Sequence, residues 1–264
     1  MIKLSCATIS VEGFGETNFD KTFVQLPEIG YKYVEFNLWY PSALTPAVLR
    51  SLKDRCAAAS LQASSIHVNG GIGGDLMRDF THKVWAMEAA RRLGCRMVST
   101  TGHKRGEGGG IKEIIASLKN LSPVAEDMDM LISLENHYDN NLETIEDYRR
   151  ILNEISSSRV GICIDTGHFD ASLVDMDALI DEFHTRVNHI HLKENRGKGI
   201  KTFTRFNEGT TDNHHVIKRM IEKGYSGSLV IEVSPEIGEN DGRPFTIEDI
   251  RVPYKMFSSY ETGE

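Results

Sequence analysis

The spacing of apolar residues alternates between two regimes along the whole chain. Compact runs occur at "IKLSCATI" (2–9), "YVEFN" (33–37), "QASSIH" (62–67), "RMVST" (96–100), "MLISLE" (130–135), "VGICID" (160–165), "VNHIHL" (187–192) and "SLVIEV" (228–233). Their length and β-branched content suit strands buried on both faces. Between them apolar positions recur every three or four residues, which predicts helices at 17–24, 46–59, 76–93, 111–128, 142–155, 174–184, 212–223 and 247–261. Local punctuation agrees. Thr45-Pro46 supplies an N-cap with proline at the first helical position, and Gly94 and Gly224 close "AARRLG" and "MIEKG".

Eight strand–helix units with no break in composition predict an α/β fold in one domain, residues 1–264, as a single closed (β/α)8 TIM barrel. The length of 264 residues matches the roughly 250 that such a barrel needs. A doubly wound open sheet competes, but "ATISVEGFG" does not supply its glycine-rich first turn. Two long connections follow strands seven (Lys193 to Thr211) and four ("TGHKRGEGGG"). Each reads equally well as a lid on the strand C-terminal face or as an ordinary surface loop.

Composition narrows the functions. A formal net charge of −8 opposes non-specific attraction to nucleic acid. No apolar run reaches the length of a membrane span, and "MIKLSCATISVEGFGE" lacks the features of a signal peptide, so a cytoplasmic protein without membrane contacts is expected. Cys6, Cys56, Cys95 and Cys163 are dispersed and read as buried thiols.

The strand ends carry the chemistry. Strand five ends at Glu135 and strand six at Asp165, strand seven carries His191 and strand eight Glu232. In a parallel barrel these tips converge, and three carboxylates that close repel unless a cation neutralises them. The set therefore implies one divalent metal, with oxygen-rich ligation favouring Mn²⁺, Mg²⁺ or Co²⁺ and leaving Zn²⁺ open. Taken singly, each residue reads as an ion pair or a hydrogen-bonded core histidine; Glu135 could pair with Lys193, and His189 could be an outward neighbour of His191. Glu35 is left between a lid contact and a buried ion-pair partner.

The stretches "LENH" (134–137), "IDTGH" (164–168), "HIHLKE" (189–194), "FNEGTTD" (206–212) and "VIEV" (230–233) resemble the xylose-isomerase-like barrel superfamily, and the eight units extend the likeness over the whole chain. Within it the chain resembles the sugar isomerases and epimerases of the D-tagatose 3-epimerase, hydroxypyruvate isomerase and inosose isomerase kind. That resemblance implies metal ligation by Glu135, Asp165, His191 and Glu232, a substrate contact at His168, and an active-site position for His67. The apurinic endonuclease branch places an Asp-x-His pair where this chain has Lys201 and Phe203, which argues against a trinuclear DNA-repair site.

A metal-dependent isomerase or epimerase of a ketose or keto-polyol is thus expected, with Mn²⁺ first among the ions and Glu135 and Glu232 as the acid/base pair. Lyase or dehydratase action on a keto-sugar or keto-inositol is the alternative, because both reactions begin with the same deprotonation. Lys193 is expected to reach substrate oxygens, with Arg196 and Arg205 as weaker candidates; Trp39, Tyr40 and Phe14 could form a stacking wall. The expected partner is a small carbohydrate, and barrels of this kind commonly form homo-oligomers, though no surface stripe marks an interface.

Overall fold

The computed structural model describes residues 1–15 and 18–262. All eight compact runs are strands: β1 (Lys3–Ala7), β2 (Tyr33–Leu38), β3 (Gln62–Val68), β4 (Met97–Thr101), β5 (Leu131–Glu135), β6 (Val160–Asp165), β7 (Val187–Leu192) and β8 (Ser228–Ile231). They pair in parallel in chain order, and β1 pairs with β8 to close the barrel. Alternate residues divide the two surfaces. Val34, Phe36, Ile132, Leu134, Ile162, Ile164, Ile190 and Leu192 belong to the apolar cluster that packs the strands against the helices. The intervening positions are buried and largely polar: Glu35, Asn37, Ser65, His67, Ser133, Glu135, Asp165, His189 and His191. Contacts between β2 and β7, which are separated in the ring by β1 and β8, place this second set along the barrel axis.

The helices are α1 (Ile9–Glu12), α2 (Asp20–Ile29), α3 (Pro46–Ala58), α4 (Leu76–Leu93), α5 (Ile111–Asp127), α6 (Ile145–Glu154), α7 (Thr166–Ala171), α8 (Met176–Phe183), α9 (Asn213–Glu222), α10 (Ile237–Asp241) and α11 (Glu248–Phe257). Pro46 opens α3, and Gly94, at φ 88°, closes α4 with the left-handed turn that glycine adopts at little cost. Short α1, α7 and α10 were not expected, since four to six residues are too few to show an apolar period. The helix expected at 17–24 runs instead to Ile29, through Pro27, and ends at Gly30; residue 17 lies outside the described residues. Strand eight stops at Ile231, so Glu232 follows the strand rather than belonging to it. Its N–H still donates to Leu192 O at 2.9 Å and so continues the ladder by one step.

The tips of β5 and β6 are tied by one side chain. Buried Asn136 donates through Nδ2 to Asp165 O (3.0 Å) and accepts from Asp165 N–H through Oδ1 (2.8 Å). Truncation would leave both buried backbone groups unpaired. Asn136→Ala should cost about 2 kcal/mol in urea unfolding, whereas the same change at exposed Asn120 should cost much less.

Candidate active site

Four side chains meet at the C-terminal end of the barrel. Glu135, Asp165, His191 and Glu232 each present one ligand atom within 4.8 Å of the others, and all four residues are buried. His191 Nδ1 lies 2.5 Å from Glu135 Oε1 and 3.0 Å from Glu232 Oε2. Lys193 enters from the residue two beyond His191, on the same side of the chain; its Nζ lies 2.8 Å from Asp165 Oδ2 and 2.5 Å from Glu232 Oε1. The other Asp165 oxygen caps α7 by accepting the His168 N–H at 2.9 Å. Asp165 Oδ2 is buried and accepts no aligned hydrogen bond, and three clustered carboxylates exceed the one lysine beside them. This hard oxygen set with one imidazole fits a divalent cation.

The charges are held unequally. Burial opposes ionisation of Glu135, but His191, His67 and His137 outweigh it and hold the carboxyl well below its usual range. Burial likewise works against Glu232, yet Lys193 and His191 bring it from 4.5 down to about 2. Asp165 goes the other way: burial lifts it more than Lys193 lowers it, and Glu232 and Glu135 add to the rise. His168 is kept neutral by burial and by His137 and Lys193 nearby.

A cavity of about 290 Å³ opens above the cluster. Glu135 and Glu232 line it, whereas Asp165 and His191 lie beneath its floor. Lys193, His67, His137 and His168 form its polar wall, with Asn37, Asn69 and Thr101. His137 stacks on His168 with ring centres 3.7 Å apart and carries Nε2 to 3.3 Å from Glu135 Oε2. Opposite stand Ile9, Trp39 and Phe14, the last two edge-to-face at 5.8 Å. Phe203, from the loop after β7, closes one side against His168 and under Lys193 Nζ.

A family profile described as xylose isomerase-like TIM barrel matches residues 23–250. The chain belongs to this family. An inosose dehydratase of Yersinia enterocolitica (serotype O:8 / biotype 1B) is 27% identical over 144 residues, 47% of this chain and 48% of that protein. The match thus spans about half the length of that relative. Among solved structures, the IOLI protein with a binding zinc atom superposes with a TM-score of 0.77 at 19% identity, covering 99% of this chain and 100% of the other. A structure of L-ribulose 3-epimerase gives 0.79 at 17% identity, covering 98% and 94%. Identities this low show the fold.

In this xylose isomerase-like barrel the predicted site residues separate into two groups. Glu135, Asp165, His191, Glu232, His168, His67, Lys193 and Trp39 come together in or just under the cavity. Arg196 is exposed on the loop and does not line the cavity. Arg205 is also away from it, buried against Asp249 (2.6 Å), Asp241 and the carbonyls of Arg243 and Pro244. It anchors the loop after β7 rather than reaching a substrate. Lys193 pairs with Asp165 and Glu232, not with Glu135. His189 faces the axis, not outward, because residues two apart on a strand share a face; Glu35 is its buried partner at 2.7 Å.

His137 and Asn37 were not singled out from the sequence, and Phe203 was noted there only as a position that cannot ligate metal. His137 could have been, since it stands two positions past Glu135 on the continuing strand direction. The place of Phe203 in the cavity wall was not legible, because only the return of its loop brings it there, through pairing of Asn195 with Phe203. No described helix is long and apolar enough to cross a membrane. All four cysteines are free and buried, as the sequence predicts.

Glu232 titrates below its unfolded value, so its ionised form stabilises the fold above pH 4.5, and that contribution is lost as the pH falls toward 2. In metal-free protein, Glu232→Gln should lower Tm at pH 6, and the gap from the unchanged protein should narrow between pH 4.5 and 2. A constant gap in thermal melts across that window would contradict the assignment.

Proposed function

We propose that the protein is a divalent-metal-dependent isomerase or epimerase that removes a proton beside the carbonyl of a neutral ketose or keto-polyol. One observation carries the reading: of the four clustered ligand residues, the two glutamates alone open onto the cavity. Glu135, Asp165, His191 and Glu232 would hold one metal ion. Mn²⁺ is the first choice for an oxygen-rich set; Mg²⁺, Co²⁺ and Zn²⁺ are the alternatives. Bound there, the ion supplies Lewis acidity toward a carbonyl oxygen and its neighbouring hydroxyl.

The chain's own groups do the rest. Glu135 and Glu232 reach the cavity from β5 and from the end of β8, two carboxylates that can serve two faces of one carbon. One accepts the proton as the substrate becomes an enediolate, and the other returns a proton to the opposite face, which inverts the centre. Proton shuttling by a single glutamate between adjacent carbons would give isomerisation instead. His137 and His67, beside Glu135 Oε2 at 3.3 and 3.6 Å, orient that carboxylate, and neutral His168 and Lys193 offer hydrogen bonds to substrate oxygens. Trp39 and Phe14 present an apolar face to the C–H side of a sugar.

The neutral substrate follows from charge. Among the described residues no arginine lines the cavity, its one lysine is engaged by Asp165 and Glu232, and Glu236 adds a further carboxylate at the rim. Apart from the ion at its floor, a phosphate or carboxylate would meet no free arginine or lysine among the described lining residues.

A dehydratase reading has its own support in the relative named inosose dehydratase. The same enediolate would then expel a β-hydroxyl rather than accept a proton. Incubation of Mn²⁺-loaded protein in deuterated water with neutral ketoses and inososes separates the two by NMR. Deuterium beside the carbonyl with a new stereoisomer supports epimerisation, and an enone-type product supports elimination. At saturating Mn²⁺, Glu135→Gln and Glu232→Gln should each slow exchange by about 10²–10⁴-fold. Exchange unaffected in both variants would remove the acid/base assignment.

A further inference from the structure

Beneath the metal-ligand cluster, on the barrel axis, lies a fourth carboxylate that the proposed chemistry does not use. Glu35 on β2 is wholly buried, where an unpaired charge would cost several kcal/mol, so every donor around it counts. Its two oxygens are used differently. Oε2 takes both conventional hydrogen bonds, from Ser65 Oγ at 2.7 Å and from His189 Nε2 at 2.7 Å. Oε1 takes neither; it faces His191 Nε2 at 3.0 Å. Neither Oε1 nor His191 Nε2 makes an aligned hydrogen bond with any described group, each other included; their 3.0 Å contact is one of charge, in a pocket where the Cys163 thiol also neighbours His191.

His191 therefore has a carboxylate at each end. Nδ1 points to Glu135 and Glu232, and Nε2 points down the barrel to Glu35. A ring that donates Nε2–H to a fixed carboxylate keeps its Nδ1 lone pair free and aimed, and the charge behind it strengthens that lone pair as a donor. We infer that Glu35 is a positioning residue for the metal centre: it fixes His191 from across the barrel so that Nδ1 meets the cation. Ser65 and His189 act on the other oxygen, holding the carboxylate in the core.

This inference rests on the metal centre proposed above. The first measurement is Mn²⁺ binding by competition with a chromophoric chelator, alongside Tm of the metal-free proteins. Glu35→Gln should weaken Mn²⁺ by about 10–100-fold. Ser65→Ala, which removes a donor to Oε2 only, should lower Tm while changing Mn²⁺ affinity by less than about threefold. Equal loss of affinity in both variants would make Glu35 merely structural, and unchanged affinity in Glu35→Gln would overturn the inference while leaving the metal centre standing. A wild-type chain that binds no divalent ion would overturn the metal centre itself, and this inference with it.

The second measurement needs no variant. In Zn²⁺-loaded, ¹⁵N-labelled protein, NMR should show His191 bound through Nδ1 with a downfield, slowly exchanging Nε2–H. Coordination through Nε2, or a rapidly exchanging Nε2–H, would overturn the inference even if Glu35→Gln failed to fold.

Discussion

Four carboxylates inside one barrel are the constraint around which the rest of the structure is arranged. Glu35, Glu135, Asp165 and Glu232 are nearly or wholly removed from water, and like charges in such a medium repel strongly. Protein groups answer them in layers. Lys193 spans Asp165 and Glu232, His191 lies between Glu35 and the upper glutamates, and His67 and His137 flank the far oxygen of Glu135. The ligand atoms crowd at one point, within 4.8 Å of one another, where a cation could complete the balance.

Placing so much charge in a core requires a fold that separates polar from apolar burial. The barrel does this with the two-residue period of its strands. One set of side chains packs outward against the helices as a continuous apolar layer, and that layer carries the hydrophobic stabilisation. The other set faces the axis, where Ser65, Asn37, Ser133 and the histidines supply donors. Register shifts at Val34/Glu35 and Ile162/Cys163 fall at the level of Glu35 and of the histidine pair. There the strands can re-aim single side chains without losing closure.

The cavity is built from what lies above this layer. Its reactive floor stands on strand ends, and its walls come from loops held by their own ion pairs. Arg205 is the clearest case: its buried contacts with Asp249, Asp241 and two carbonyls fix the loop that delivers Phe203 to His168. An arginine that sequence alone offers as a substrate clamp is thus a structural pin, and among the described residues no arginine lines the cavity.

The sequence by itself determined the eight strands, the closed barrel and the four residues that cluster, because apolar periodicity sets which segments become strands and parallel closure brings their ends together. The two-residue period also carries the shared face of His189 and His191, although the sequence reading set His189 outward and the structure corrected it. Only the tertiary structure decided which groups pair across the ring. Glu35 on β2 meets His191 on β7 through the barrel interior, Lys193 chooses Asp165 and Glu232 over Glu135, and Phe203 arrives through a returning loop. Such contacts join residues far apart in the chain, and they depend on strand register, side-chain direction and loop anchoring, none of which leaves a period in the sequence.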